Sequence, residues 1–114
     1  MEKGTITVVN RKLMPERGPN TFRVPIHRPC MLGNPFVIGL HGTREQVIEK
    51  YRAWLCDKIA KENRSFVKRE FDRVCQAYWN GKDVELICGC KPQPCHGDVI
   101  KELVENYRRK THDR

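Results

Sequence analysis

The residues best suited to chemistry lie in one short stretch, 88–98, which reads CGCKPQPCHGD. Cys88 and Cys90 stand two apart after an apolar run, so an extended backbone would point both thiols to one side. Two prolines then stiffen the return of the chain to Cys95 and His96, where a helix is predicted to begin. The sequence therefore predicts that three thiols and an imidazole converge at one place.

A zinc centre is the first interpretation of this stretch. Cysteine and histidine are the usual ligands of tetrahedral zinc, and Cys88, Cys90, Cys95 and His96 supply a complete set of four. The spacing differs from the common pairing of two cysteines separated by two residues. Zinc is accordingly a candidate cofactor, and the matching function is a zinc-stabilised structural or interaction module.

A reactive thiol is the second interpretation. The start of a helix, together with Lys91 or His96, would lower the pKa of Cys95 and favour its thiolate. His96 would act as a base and Asp98 would orient it, as nucleophilic catalysis requires. Cys95, His96 and Asp98 are therefore the candidate catalytic residues.

Anion binding is the third interpretation. Gly97 would let a phosphate approach the free amides at the start of the helix. Asp98 would then bond a sugar hydroxyl, or would simply cap the helix. The remaining alternative is that the thiols only pack in the core and that Asp98 only caps.

A second candidate stretch runs from His27 to Phe36. Arg28 could clamp a phosphate or carboxylate through two parallel hydrogen bonds, or it could pair with a surface acid. Asn34 lies in a Gly-Asn-Pro turn of the same stretch. Arg44 falls in the first turn of a predicted helix, where the helix dipole disfavours a cation, so a bound anion would explain its presence.

The charge balance favours anionic partners. The 114 residues include 22 Lys and Arg but 14 Asp and Glu, which gives a net charge of +8. Such a chain attracts nucleotides, nucleic acid or another anionic surface. The alternative is a surface that is charged for solubility alone, because the basic residues are spread along the whole chain.

The six cysteines come without a visible secretory signal, so we expect a reducing, cytoplasmic location, or the host cytoplasm if the protein is viral. The longest uncharged run, 29–43, contains prolines and glycines and reads as a loop. We therefore expect no membrane association. The oligomeric state is left open.

The order of elements predicts the fold class. A β-branched strand covers Thr5–Val9, and a short strand candidate covers 21–26. A helix begins at Thr43 with a capping box, a second begins at Ser65, and a strand at 84–88 leads into a third near 95–98. This order predicts a small α/β domain over 1–107, with a short, mainly parallel sheet, about three helices and Rossmann-like layering, followed by a basic polar tail over 108–114.

A set of residues and short motifs spread along most of the chain forms a family-like pattern: Val8-Val9-Asn10, Arg28, Leu32 to Phe36, Arg44-Glu45, Tyr51, Trp54-Leu55, Gly81-Lys82 and Leu86 to Val99. It resembles a small family of uncharacterised phage, archaeal-virus and microbial proteins, known as a domain of unknown function. The hallmark of that family is a hydrophobic strand, C-x-C, a proline and C-H-G-D-V. The resemblance brings no activity, but it implies that one site is formed by Arg28, Asn34, Cys88, Cys90, Cys95, His96, Gly97 and Asp98. Two positions depart from the pattern, because His27 replaces a glycine and Cys30 replaces a small residue such as serine.

Ligands of open α/β sheets bind beyond the carboxyl ends of the strands. The sequence therefore predicts a pocket between the Arg28–Phe36 loop and the Cys88–Asp98 loop that binds a phosphate-bearing ligand, either a nucleotide or nucleic acid. The predicted ligand-binding residues are Arg28, Asn34, Arg44, Gly97 and Asp98. A nucleotide- or nucleoside-processing enzyme at the same site is the alternative, beside the zinc-stabilised module.

Overall fold

The computed structural model describes residues 3–60, 65–89 and 93–107. Within these ranges the chain forms three strands and three helices. In chain order they are β1 (Thr5–Asn10), β2 (Thr21–Pro25), α1 (Arg44–Ala60), α2 (Phe66–Trp79), β3 (Asp83–Cys88) and α3 (His96–Asn106). The predicted α/β class is confirmed, and the predicted tail over 108–114 lies outside the described residues. The assignment of 1–107 to a single domain stays a prediction.

The sheet is parallel throughout and has β3 at its centre, in the order β1-β3-β2. Thr5 of β1 and Thr21 of β2 both pair with Asp83, so the three strands start level. Their carboxyl ends consequently meet at one edge. In such a sheet this is the edge where a ligand is expected.

One face of the sheet carries the helices. Side chains alternate along β3, so Val84 and Leu86 are buried while Glu85 points the other way and binds Arg23 at 2.7 Å. Helices α2 and α3 pack on the buried face, and α1 packs in turn on α2 and α3. The core therefore lies between one sheet and one layer of helices.

Local sequence signals fix where the helices begin and end. The Thr43 hydroxyl accepts a hydrogen bond from the Gln46 amide at 3.2 Å, and the Gln46 side chain accepts one from the Thr43 amide at 2.8 Å. This is the predicted capping box. Ser65 caps α2 by accepting from the Lys68 amide, and Gly81, with a φ of 93°, follows the end of that helix as predicted.

Residues 26–43 connect β2 to α1 without regular structure, but hydrogen bonds hold them in place. The Arg28 guanidinium donates to the carbonyl of Asn34 at 2.9 Å, and the Asn34 side-chain oxygen accepts from the Phe36 amide at 2.9 Å. The buried Tyr51 hydroxyl donates to the carbonyl of Leu32 at 2.8 Å, which ties the segment to α1. The segment is thus an ordered wall of the molecule. None of the helices in the described ranges is both long enough and apolar enough to cross a bilayer.

Candidate functional site

A cleft of about 430 Å³ opens at the carboxyl edge of the sheet. Its walls come from the ends of all three strands, from the segment between β2 and α1, and from the first turns of α1 and α3. The described residues that line it are Arg11, His27, Arg28, Asn34, Phe36, Val37, Ile38, Arg44, Val47, Ile48, Gly89, Pro94, Cys95 and His96.

The sheet topology brings these residues together. Arg11 directly follows β1, Gly89 directly follows β3, and His27 and Arg28 follow β2 after one residue. Because the strands are parallel and start level, these chain segments leave the sheet side by side. The cleft therefore lies where an open α/β sheet places its ligand.

The charge around the cleft is one-sided. Three guanidinium groups, those of Arg11, Arg28 and Arg44, line it, and no aspartate or glutamate of the described residues does. Helices α1 and α3 both begin at the cleft, since Arg44 and His96 are their first residues. The amino ends of helices carry partial positive charge. The arginines and the two helix starts therefore combine into a positive potential in one concave place.

Two of these arginines are held by backbone carbonyls. Arg28 donates to the carbonyl of Asn34 at 2.9 Å, and Arg44 donates to the carbonyl of Pro94 at 3.0 Å. Each bond occupies one of the five N–H donors of a guanidinium. The bonds fix the position of the charge and leave the planar group able to bind an anion with further donors.

Asn34 has a bracing role as well as a place in the lining. Only 8% of its surface is exposed, and its side-chain nitrogen lies 3.5 Å from the carbonyl of Val47 on α1. Its oxygen accepts from the Phe36 amide. The side chain thus holds residues 34–36 against the helix, which sets the width of the cleft.

His96 lines the cleft with its protonation state fixed. Its Nε2 lies 2.6 Å from the carbonyl oxygen of Ile26, a contact that requires Nε2 to carry the proton. Burial lowers the pKa of His96 below its ordinary value, and the charge of Arg28 acts in the same direction. The neutral ring, which packs edge-to-face on Tyr51, therefore keeps Nδ1 as a hydrogen-bond acceptor.

Cys95 caps α3. Its sulfur accepts from the Gly97 amide at 3.3 Å, and the Asp98 carboxylate accepts from the Cys95 amide at 3.1 Å. Burial and the Cys88 thiol, 3.4 Å away, raise the pKa of Cys95 to about 12. The sequence led us to expect a lowered pKa. The Gly97 amide does act in that direction, but burial outweighs it, so the thiol is protonated near neutral pH.

Gly97 and Asp98 are not among the residues that line the cleft. Gly97 is buried under β1 and the end of β2, where a Cβ atom would lie 2.8 Å from Val8 and 2.9 Å from Ile26. Its missing side chain therefore allows close packing of helix on sheet. Asp98 has the capping role that the sequence offered as the alternative to sugar binding.

The predicted zinc ligands are only partly described. The sulfurs of Cys88 and Cys95 are close enough to share one ion, whereas Nε2 of His96 is engaged by Ile26. Cys90 lies outside the described residues. Among the residues that are described, no group of three or more His, Cys, Asp and Glu side chains is arranged to hold a metal ion.

Sequence reasoning did not identify Arg11, Val37 and Ile38 as residues that line the cleft. Arg11 carried a usable signal, because it is the first residue after a β-branched strand. In a parallel sheet that position faces the ligand. The two apolar residues carried none, since their exposure depends on how the segment folds around Asn34.

Comparison with known proteins adds family membership to this geometry. No solved structure matches the chain. A curated relative from Enterobacteria phage T4, described as an uncharacterized 12.4 kDa protein in the nrdA-td intergenic region, is 33% identical over 85 residues. That similarity covers 73% of this chain and 68% of the relative. The family of the domain of unknown function DUF4326 matches residues 9–106, a range that includes every cleft residue. The chain therefore belongs to the DUF4326 family, as the phage resemblance of its sequence had implied.

Proposed function

We propose that the chain binds a phosphate-bearing ligand, a nucleotide or nucleic acid, in the cleft at the carboxyl edge of the sheet. The observation that carries this proposal is the set of three arginines, Arg11, Arg28 and Arg44, in one cleft whose described lining contains no carboxylate. Guanidinium groups bind phosphate oxygens through paired, charge-assisted hydrogen bonds.

The electrostatics of the cleft support the same ligand. Arg44 stands in the first turn of α1, where it meets the positive end of the helix dipole, and Arg28 lies near enough to His96 to lower its pKa. Like charges that converge on one cleft repel one another, although Arg11 and Arg28 are exposed and only Arg44 is half-buried. An anion in the cleft would relieve that repulsion, so anion binding should also raise the thermal stability of the fold.

The test is titration calorimetry of the full chain with nucleotides, combined with replacement of single arginines. We expect Arg11→Gln and Arg44→Gln each to weaken binding about tenfold or more, because each removes a charge-assisted contact worth roughly 1.5–3 kcal/mol. Arg69→Gln is the matched control, since Arg69 lies on α2 outside the cleft and its loss changes the net charge equally. Equal losses in all three variants, or no binding at low salt, would contradict the proposal.

Salt dependence separates the two kinds of ligand. Binding of nucleic acid through many phosphates should weaken steeply with rising salt, because counterions are released from the polymer. A nucleotide held in the cleft should show a shallower dependence, set by its own few charges. Neither response is expected if the charge of +8 serves solubility alone.

An enzyme acting on the bound nucleotide is the alternative that His96 favours. The ring is neutral, oriented by Ile26 and part of the cleft wall, so Nδ1 is suited to accept a proton from a ligand hydroxyl or water. Such an enzyme would release a chromatographically distinct product from a nucleotide. His96→Gln should abolish that turnover while leaving binding largely intact, and absence of any product would end the alternative.

The zinc-stabilised module is a separate alternative, supported by the 3.4 Å separation of the Cys88 and Cys95 sulfurs. It requires both Cys90 and His96 to complete the set of four ligands. Elemental analysis of the purified protein should then find about one zinc per chain, and chelation should lower the melting temperature, because metal binding contributes to folding. Protein that lacks zinc and melts unchanged after chelation would contradict this alternative.

A further inference from the structure

Five apolar residues also line the cleft and form its apolar wall: Phe36, Val37, Ile38, Val47 and Ile48. Val37 is 36% exposed, Ile38 48% and the neighbouring Leu40 76%. Three of the six large exposed hydrophobic side chains in the described residues thus fall within four consecutive positions. Clustered exposure of this kind marks a surface that meets an apolar partner.

This exposure is built into an ordered loop. The Val37 amide donates to Nδ1 of His41 at 2.8 Å, the His41 amide donates back to the carbonyl of Val37 at 2.8 Å, and the Gly39 amide bonds Gly42 at 2.7 Å. Lys50 on α1 bonds the carbonyl of His41 at 2.7 Å. These hydrogen bonds order the loop and hold Val37 and Ile38 at the cleft.

The polarity of the cleft changes along α1. Arg44 is the first residue of the helix, and Val47 and Ile48 follow one turn later on the same side, a rise of about 5 Å. A ligand lying along this turn would meet a guanidinium at one end and aliphatic side chains at the other. A ligand that matches this part of the cleft must therefore have an anionic group and an apolar group separated by about the width of a sugar ring.

The cleft volume of about 430 Å³ falls within the range of roughly 300–1,000 Å³ that is typical of small-ligand sites. A free phosphate would leave the apolar wall unused. A nucleic acid strand needs cations spaced along an extended groove to follow its backbone, whereas Arg11, Arg28 and Arg44 converge on one concave site.

Resting on the proposed function, we infer that the ligand is a free mononucleotide, with its phosphate among the three arginines and its base against Val37 and Ile38. The apolar wall would then supply most of the preference for a nucleotide over a simple sugar phosphate.

The test compares three kinds of probe on the full chain by titration calorimetry at one ionic strength: the common nucleoside 5′-monophosphates, ribose 5-phosphate and a single-stranded oligonucleotide. At least one monophosphate should bind about tenfold more tightly than ribose 5-phosphate, because only the monophosphate has a base to place on the apolar wall. That monophosphate should also bind more tightly than the oligonucleotide.

Two variants test the contacts of the base and of the phosphate separately. Ile38→Ser should weaken binding of the monophosphate roughly fivefold and leave ribose 5-phosphate within about twofold, since the lost contact is apolar. Arg44→Gln should weaken both ligands. Phe66→Ser is the matched control, because Phe66 is 66% exposed at the start of α2 and does not line the cleft.

The outcomes distinguish this inference from the function on which it rests. Equal affinity for ribose 5-phosphate and every monophosphate overturns the inference and leaves phosphate binding intact. Tighter binding of the oligonucleotide overturns it in favour of nucleic acid. Equal losses for both small ligands in Ile38→Ser overturn the placement of the base. No binding of any probe overturns the proposed function itself.

Discussion

Helices α1 and α3 both begin at the cleft, but their starts are built differently. At α1 a hydroxyl cap, Thr43, and its partner Gln46 lie exposed at the surface. At α3 the cap is the thiol of Cys95, which is 2% exposed and lies against Cys88. Both starts close reciprocal bonds between side chain and backbone, as a capping box does.

The comparison shows that the residue types at a helix start do not by themselves decide whether that start is reactive. The start of α3 carries the residue types that suit nucleophilic or metal chemistry, yet its thiol is buried and acts as a cap. The start of α1 carries ordinary capping residues, yet it presents Arg44 to the cleft. The structure thus indicates that α3 mainly contributes rigidity and α1 mainly contributes charge.

The largest expected difference concerns thiol reactivity. Burial and the neighbouring Cys88 raise the pKa of Cys95 well above the ordinary thiol value, so little thiolate is present near neutral pH, and only the thiolate is nucleophilic. Cys95 should therefore be alkylated by iodoacetamide far more slowly than the exposed Cys56, as followed by mass spectrometry of the intact protein and its peptides. Comparable alkylation rates at the two residues would contradict the burial and protonation of the thiol at the start of α3.

Substitution at Gly97 should give the largest loss of stability at either helix start. The added Cβ of Gly97→Ala would lie within 3 Å of Val8 and Ile26, and such overpacking costs about 1–3 kcal/mol in the free energy of unfolding. Gly18→Ala is the matched control, because its nearest neighbour is 3.4 Å away. Urea denaturation checks the difference, and similar midpoints for the two variants would contradict it.

The two helix starts should also differ, by a smaller amount, in the stability lost when the side chain that completes each capping box is removed. Asp98→Ala should lower the free energy of unfolding by about 1 kcal/mol, because it leaves the Cys95 amide without its acceptor in a half-buried place. Gln46→Ala should cost less, since water can replace its exposed bond to Thr43. A larger loss for Gln46→Ala in the same denaturation series would reverse the comparison.

The smallest expected effect is a pH dependence at the start of α3. Burial lowers the pKa of His96 in the folded state, so between that pKa and the ordinary value near 6.5 the unfolded chain binds more protons. Stability should therefore be complete above about pH 6.5 and should fall as the pH decreases below it. The groups acting on the ring are Arg28, which lowers its pKa further, and Asp98 and the Ile26 carbonyl, which oppose that lowering.

His96→Gln should flatten the stability profile below about pH 6.5, because the amide does not titrate. The measurement is the urea midpoint at several pH values in this interval. An unchanged slope in the variant would show that the dependence arises elsewhere in the chain.

Sequence reasoning succeeded where the signal was local. The caps at Thr43 and Ser65 and the stop at Gly81 depend on residues within one turn, and the structure has all three. The order of elements predicted a parallel sheet. A parallel sheet in turn predicted that the candidate site residues lie at its carboxyl edge. Arg28 and Arg44 do lie there.

Reasoning from sequence fell short where distant residues meet. Gly97 was interpreted as an approach for an anion, but its neighbours are Val8 and Ile26, which are remote in sequence. The pKa of Cys95 was expected to fall because the helix start is visible in the sequence, whereas the burial that raises it is not. Arg11 went unnoticed because its place in the cleft depends on the pairing of β1 with β3.

The central position of β3 has a consequence for the newly made chain. Thr5 pairs with Asp83, so β1 has no strand partner until 78 further residues have been added, and β2 waits for the same strand. At about 5–20 residues per second, synthesis of that interval takes roughly 4 to 16 seconds. During this time the β-branched run of β1 is an unpaired edge that can associate with other chains.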